Sequence, residues 1–153
     1  MKPILIASDH GGFALKEALK LYLRSKNIEI LDLGPFDSNS CDYPEYAANL
    51  ALKISQGKYK KGILICKSGI GNSIVANKYP NVRAALSYNL KAAKLSREHN
   101  DSNILVLGAL FVNPSLAKRI VDVWLKTEFV GGRHKRRLNQ ITCIEKKIRS
   151  EKL

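Results

Sequence analysis

Short apolar runs alternate with segments of helical periodicity along almost the whole chain, and this alternation restricts the fold more than any other feature. The runs predict strands at 4–7, 28–33, 62–66, 83–87 and 104–107. Between them, apolar residues recur at the three- and four-residue spacing of helices. Strands that alternate with helices usually pair in parallel through right-handed crossovers. We therefore predict an α/β, Rossmann-like three-layer domain with a five-stranded parallel sheet.

Turn and capping residues divide the helical segments. Helices are predicted from Phe13 to about Lys26, over 43–55, from the turn at 68–71 to Lys78, over 89–98, and from Asn113-Pro114 onward. A last helix over about 132–150 carries an apolar stripe, and we expect it to pack on its own domain or on a dimer partner. No linker or repeat interrupts residues 1–153, so one domain is predicted.

Composition favours an intracellular globular enzyme. The chain has 153 residues, of which 45% are hydrophobic. No window approaches the run of about 18 apolar residues that a membrane span needs, and the N-terminus lacks the apolar region of a signal peptide. The three cysteines, Cys41, Cys66 and Cys143, form no C-x-x-C pair. Neither a disulfide framework nor a zinc site is predicted, so we expect no metal and a cytoplasmic location.

The formal net charge of +13 raises the question of nucleic-acid binding. Most Lys and Arg residues are scattered along helix faces, where they are typical of a solvated surface. Only the segment 133–153 concentrates charge, with eight Lys or Arg against two Glu. A basic tail of this kind could bind nucleic acid, but no basic stripe with interleaved aromatic residues accompanies it. We expect neither nucleic acid nor a membrane as a partner.

The third predicted strand runs into Cys66 and then into a Ser-Gly-Ile-Gly turn at 68–71 that opens a helix. Ligands of parallel α/β sheets settle at this carboxyl edge. Backbone N–H groups of the turn and the helix start favour an anion or a thiolate there. The helix is expected to turn Ile74, Val75 and Ala76 inward. Taken alone, a cysteine such as Cys66 is more often a small buried hydrophobe than a catalytic base.

Three other polar segments are expected at the same edge of the sheet. They are Asp9-His10-Gly11-Gly12, Asp42-Tyr43-Pro44 and His99-Asn100-Asp101. Asp42 could simply cap the next helix, and an isolated His is usually structural or exposed. Two loop histidines near a strand-end Cys make a site more plausible than either feature alone.

Taken together, several motifs carry a resemblance to a known family. They are Asp9-His10-Gly-Gly-Phe13 with Lys16, Asp42-Tyr-Pro44, Cys66 with Ser68-Gly-Ile-Gly71, Ala76-Asn-Lys78, 95–103, and Gly131-Gly-Arg-His134. In these motifs the chain resembles the type B ribose-5-phosphate isomerases. The wider family includes the galactose-6-phosphate isomerases of lactose operons. The resemblance extends from Ile4 to about Ile148.

The resemblance implies a cofactor-free aldose–ketose isomerase that interconverts ribose 5-phosphate and ribulose 5-phosphate, within the pentose phosphate pathway. A six-carbon substrate, galactose 6-phosphate or allose 6-phosphate, is the alternative within the same class. A non-catalytic sugar-phosphate sensor or nucleic-acid-binding protein is the alternative from another class. Such a protein would not need the pairing of Cys66 with His99, and an isomerase assay separates the two.

The resemblance also implies catalytic roles. Cys66 matches the base that moves a proton between two sugar carbons through an enediolate. His99 matches the histidine that opens the sugar ring, with Asp9 as its acid/base partner. Ser68 matches a hydroxyl that moves protons between substrate oxygens, and Asn100 would orient sugar hydroxyls.

The substrate-binding set implied by the resemblance is larger. It comprises His10, Arg133 and Arg137 for the phosphate, with Tyr43, Lys67, Gly69, Ile70 and Gly71 beside the sugar. His134 is left undecided. The family builds its site from both subunits of a dimer, so a homodimer is expected, and pairing of dimers into a tetramer stays open. Cys41 and Cys143 have no motif role.

Two positions distinguish this chain within the family. Lys67 stands where Gly is usual, so it either favours the thiolate, points to solvent, or is strained if the turn needs a positive φ. Asn72 stands where another branch has a Glu base. Asn72 together with Cys66 is typical of the branch that uses the cysteine.

Overall fold

The computed structural model describes residues 2–151, and within them five strands form one parallel sheet. The strands are β1 (Ile4–Ser8), β2 (Ile30–Asp32), β3 (Gly62–Cys66), β4 (Ala84–Leu86) and β5 (Ile104–Gly108). Their order across the sheet is β2-β1-β3-β5-β4. The predicted five-stranded parallel sheet is confirmed.

Six α-helices connect and cover these strands. They are α1 (Phe13–Ser25), α2 (Tyr43–Ser55), α3 (Ile70–Ala76), α4 (Leu90–Glu98), α5 (Pro114–Lys126) and α6 (Arg133–Ser150), and a short 3₁₀ turn at His10–Gly12 precedes α1. Helices α1, α4 and α5 pack on one face of the sheet, and α2 and α3 pack on the other. The three-layer architecture and the C-terminal helix are therefore as predicted.

The central strands explain why the sheet has two hydrophobic cores. Every residue of β3 and β5 is buried. Side chains alternate along a strand, so Ile63 packs into the core with α1 and α5 while Leu64 packs into the core with α2. Trp124 is the largest fully buried side chain, and its Nε1–H donates to Ser102 Oγ at 2.7 Å.

The boundaries differ from the sequence prediction at the two edge strands and at α3. Strands β2 and β4 have three residues each, fewer than predicted, because each has a neighbour on one side only. Helix α3 ends at Ala76 rather than Lys78. Its predicted inner face was wrong for Ile74, which is 56% exposed, while Ala76 is buried.

Helix α6 contacts the rest of the chain through few side chains. His134 and Leu138 are buried in its first turns, whereas Ile141, Ile144 and Ile148 remain exposed along one stripe. None of the helices in the described part of the chain is both long and apolar enough to cross a membrane.

Candidate active site

The thiol of Cys66 lies at the carboxyl end of β3, where the chain turns tightly into α3. Cys66 is 4% exposed, and its Sγ accepts the N–H of Gly69 at 3.0 Å. Gly69 has a φ of +84°, a left-handed conformation that favours glycine, and this lets the amide turn back toward the sulfur. An N–H donor aimed at sulfur at a helix start stabilises a thiolate.

Ser68 is fixed between the thiol and the helix start. Its Oγ accepts the N–H of Ile70 at 3.3 Å, and its carbonyl accepts the O–H of Tyr88 at 2.9 Å. Ile70 itself is the first residue of α3 and is 51% exposed. The turn therefore presents a hydroxyl and backbone amides close to Cys66.

Asp9 and His10 follow β1, the strand beside β3. The N–H of Asp9 donates to the Ile65 carbonyl at 3.2 Å, and its buried carboxylate accepts the N–H of Gly12 at 2.9 Å. His10 is exposed, and its Nδ1 lies 3.1 Å from the carbonyl oxygen and 3.2 Å from the amide nitrogen of Cys41. This contact fixes the ring through Nδ1 and leaves Nε2 available for a ligand.

Tyr43 opens α2 and covers the first turn of α3. A Cβ added at Gly71 would lie 2.5 Å from Tyr43 Cζ and 2.9 Å from its Oη, so only glycine allows the ring this close. Asp42 occupies the N-cap position of α2, but its carboxylate makes no capping hydrogen bond. Asp9, His10, Tyr43 and the 66–71 segment are together called the carboxyl-edge group.

Lys67 is exposed beside this group and is not strained by its backbone. Within residues 2–151, the non-glycine residues with positive φ are Asn27, Asn81 and Asp101. A Cβ built at Gly11 would lie 3.1 Å from Lys67 Cβ, so Lys67 packs next to the turn that carries His10. The strained alternative for Lys67 is therefore wrong.

A second cluster surrounds His99. The rings of His99 and His134 stack with centroids 4.1 Å apart and an angle of 6° between their planes. Burial of His134, then the charges of His99, Arg133 and Arg137, lower the pKa of its imidazole. Asn100 is exposed next to His99, and its carbonyl accepts Arg83 Nε–H at 2.9 Å.

This second cluster lies at the opposite edge of the sheet from Cys66. Helix α4 runs back from the carboxyl edge, and the Asn103 carbonyl accepts the N–H of Gly62, the first residue of β3. The register pairs Gly62 with Ile104 and Cys66 with Gly108, and five strand residues extend about 13 Å. We call His99, Asn100, Arg133, His134 and Arg137 the amino-edge group.

Within a single chain, the expectation that His99 and Asn100 lie at the same edge of the sheet as Cys66 was therefore wrong. These residues follow a helix and precede β5, whereas residues at the carboxyl edge follow a strand. The structure brings Asp9, His10, Tyr43 and Ser68 to the same edge as Cys66. It brings Arg133 and Arg137 to His99 instead.

Comparison with known proteins agrees with this arrangement of elements. The profile of the Ribose/Galactose Isomerase family matches residues 4–141. The chain belongs to this family. Ribose-5-phosphate isomerase B of Escherichia coli K12 is 44% identical over 147 residues, covering 96% of this chain and 99% of that protein. Ribose-5-P isomerase B of Listeria innocua is 40% identical over 146 residues, covering 95% and 99%.

Solved structures of the ribose/galactose isomerase family superpose closely. Ribose-5-phosphate isomerase B of Clostridium thermocellum aligns with a TM-score of 0.93 at 46% identity, covering 96% of this chain and 99% of that one. The Mycoplasma genitalium enzyme, solved with bound ribulose 5-phosphate, aligns with a TM-score of 0.88 at 44% identity, covering 94% and 96%.

The sequence analysis of this ribose/galactose isomerase assigned no role to His134. The stacking of His134 on His99 is the main contact that it did not predict. A weak signal existed, because His134 lies one helical turn before Leu138 and so shares its buried face. In the described residues, no three His, Cys, Asp or Glu side chains are placed to hold a metal ion.

Proposed function

We propose that this protein is a ribose-5-phosphate isomerase that interconverts ribose 5-phosphate and ribulose 5-phosphate through an enediolate. The observation that carries this proposal is the Cys66 thiol, held at the carboxyl edge under the Gly69 N–H at 3.0 Å. A base beside the start of α3 suits proton transfer next to an oxyanion. A related enzyme of the same family binds ribulose 5-phosphate.

The reaction needs one base that acts twice. The Cys66 thiolate removes the proton from carbon 2 of the open-chain aldose, and the electron pair forms the carbon–carbon double bond of the enediolate. The negative charge develops on oxygen 1, where backbone N–H groups of the 68–71 turn stabilise it. The Ser68 hydroxyl moves a proton between oxygens 1 and 2. Cys66 then returns its proton to carbon 1, and ribulose 5-phosphate is formed.

Residues of the amino-edge group carry out the remaining steps of the proposed reaction together with Asp9 and His10 of the carboxyl-edge group. His99 opens the furanose ring by moving a proton between its oxygens, with Asp9 as partner, and Asn100 orients the hydroxyls. Arg133 and Arg137 bind the phosphate together with His10, because guanidinium groups donate two parallel hydrogen bonds to such oxyanions.

Because these two groups lie at opposite edges of the sheet, we propose that the active enzyme is a homodimer. In each site the carboxyl-edge group of one copy faces the amino-edge group of the other. Apolar side chains support this arrangement, since Ile70 and Ile74 are exposed beside Cys66 and the stripe on α6 is exposed beside the amino-edge group. Large apolar side chains exposed next to one another are typical of an interface.

Mixing two inactive variants tests the shared site. Cys66→Ala disables one edge and His99→Asn disables the other. With random exchange of equal amounts, about half the dimers contain one chain of each kind, and one of their two sites has both native groups. We expect about a quarter of wild-type activity from the mixture. No recovery, with subunit exchange demonstrated by mass spectrometry, would contradict the dimeric site.

The role of His99 is tested by comparing the two reaction directions. Ribose 5-phosphate must open its ring before isomerisation, whereas ribulose 5-phosphate cannot form that furanose. His99→Asn should therefore lose more activity with the aldose than with the ketose. Equal losses in both directions would count against ring opening by His99.

A panel of phosphorylated aldoses tests the substrate. We expect the highest kcat/KM for ribose 5-phosphate, and a higher value for galactose or allose 6-phosphate would assign the chain to the six-carbon branch. No turnover of any of them would favour the sensor alternative. Three free cysteines support a reducing, cytoplasmic location, and the reaction fits the pentose phosphate pathway.

A further inference from the structure

We propose that Lys16 is a positioning residue that holds the loop formed by residues 34–42, and through it His10, in the geometry needed to bind the substrate phosphate. The inference rests on the proposed function, in which His10 is a phosphate ligand. Lys16 lies on α1, and its ammonium group contacts Asp32 at the end of β2 and Pro35 just beyond it.

The ammonium group of Lys16 is completely buried and fully hydrogen-bonded. Its side chain is 0% exposed. Its Nζ donates to Asp32 Oδ1 at 2.9 Å, to Asp32 Oδ2 at 2.8 Å and to the Pro35 carbonyl at 2.8 Å. Glu17 Oε1 lies 3.2 Å from the same nitrogen, so acceptors are in reach of all three N–H donors of the ammonium group. A buried charge is tolerated only when its partners stay in place, which makes the geometry rigid.

These bonds anchor the beginning of the 34–42 loop. Asp32 Oδ1 also accepts the N–H of Gly34 at 2.9 Å, so one carboxylate fixes Lys16 and the loop together. The rings of Phe13 and Phe36 lie 5.3 and 5.7 Å from Lys16 Nζ, which closes the pocket around the cation. The loop therefore leaves β2 in a direction determined by Lys16.

The far end of the same loop contacts the carboxyl-edge group. His10 Nδ1 lies within hydrogen-bond distance of both the carbonyl oxygen and the N–H of Cys41, so in either tautomer it bonds to the backbone of this residue. Two residues later, Tyr43 lies over Gly71. Because His10 is exposed and this backbone contact fixes its ring, a shift of the loop changes the position of the imidazole. Lys16 thus acts on the phosphate ligand through the loop.

Lys20 offers a matched control on the same helix. Its Nζ pairs with Asp32 Oδ2 at 2.6 Å and with Glu17 Oε1 at 2.7 Å, and its side chain is 12% exposed. Lys20→Met therefore removes the same charge from the same carboxylate as Lys16→Met. It does not remove the hydrogen bond to Pro35, so a difference between the two variants reports on the loop.

The first measurement is the steady-state kinetics of both variants with ribose 5-phosphate. We expect Lys16→Met to raise KM by about tenfold or more with kcat within about threefold, since phosphate contacts stabilise ground and transition states alike. Lys20→Met should stay within about twofold of the wild type in both parameters. Equal effects of the two variants, or an unchanged KM for Lys16→Met, would overturn the inference.

The second measurement does not depend on activity. Nitrogen NMR of the His10 ring reports whether the contact between Nδ1 and the Cys41 backbone is kept, because the chemical shifts of the two ring nitrogens depend on their hydrogen bonds. We expect the same pair of ring-nitrogen chemical shifts in the wild type and in Lys20→Met, and a changed pair in Lys16→Met; unchanged shifts in Lys16→Met would overturn the inference. If the wild type does not isomerise ribose 5-phosphate, the proposed function fails, while the NMR comparison still decides whether Lys16 positions His10.

The double variant Lys16→Met/Asp32→Asn separates positioning from stability. It removes the carboxylate that Lys16→Met would leave buried without its main partner, so its melting temperature should exceed that of Lys16→Met. Its KM should remain high and its His10 nitrogen shifts should remain those of Lys16→Met, because the bond to Pro35 is still missing. If both the KM and the melting temperature of the double variant return to the wild-type values, the role of Lys16 is purely structural and the inference is wrong.

Discussion

Replacement of Arg137 by Ala tests the proposed phosphate site at the amino edge. Arg133 and Arg137 are four residues apart in α6 and therefore lie on one side of the helix. Both lie near the buried ring of His134, which stacks on His99, and both contribute to its lowered pKa. Both residues are exposed, so they can reach a phosphate in the proposed shared site.

The expected magnitude follows from the kind of bond that is lost. A hydrogen bond between a guanidinium and a phosphate oxygen contributes about 1.5–3 kcal/mol. Since about 1.4 kcal/mol corresponds to a tenfold change, the KM for ribose 5-phosphate should rise between about 10-fold and about 150-fold. The effect on kcat should be smaller because the phosphate does not react.

Arg136→Ala is the matched control for this variant. Arg136 precedes Arg137, carries the same charge and is exposed, but lies on the side of α6 opposite His134 and Leu138. It should leave KM within about twofold of the wild type, as should Lys146→Ala. An unchanged KM in Arg137→Ala would refute the phosphate site. Equal loss of oligonucleotide retention in all three variants, with normal sugar kinetics, would favour nucleic-acid binding.

Three further predictions concern the thiol, the histidine stack and the core. Cys66→Ser should lower kcat by at least about 100-fold, whereas Cys143→Ser, measured in the same isomerase assay, should behave as the wild type. Burial lowers the pKa of His134, so as pH falls the unfolded chain takes up a proton at a higher pH than the folded chain, and the free energy of unfolding should decrease below about pH 6.5. His134→Phe keeps an aromatic ring on His99 but cannot titrate, so its free energy of unfolding should depend less on pH in this range. Trp124→Phe loses the 2.7 Å bond to Ser102 and should cost about 1–2 kcal/mol in urea unfolding, and a cost near zero would show that this bond does not stabilise the core.

The fold was largely predictable because each apolar run matches a strand of the same sheet. Prediction was best for β3, where a fully buried strand between glycine and a turn has clear ends. It was poorest for β2 and β4, because an edge strand is limited by its single neighbour and not by its own apolar residues. The exposure of Ile74 escaped prediction for a related reason, since a seven-residue helix has too few turns to define its buried face.

The carboxyl-edge group was predictable and the amino-edge group was not. Cys66 ends β3 and Asp9 directly follows β1, and chain order alone places such residues at one edge. The contact between His99 and His134 joins residues far apart in sequence, and no local pattern specifies it. The sequence does not predict the burial of Lys16 either, because Lys16 meets its partner Asp32 only once α1 has packed beside β2.

The topology also explains why the proposed site requires a second copy of the chain. In a parallel α/β domain, residues after strands gather at one edge and residues after helices gather at the other. The proposed base, Cys66, belongs to the first class, and the proposed ring-opening group, His99, belongs to the second. The length of β3, about 13 Å, separates them, and no side chain spans that distance. In the proposed homodimer, a twofold axis sets the carboxyl edge of one copy against the amino edge of the other and so completes both sites with a single interface.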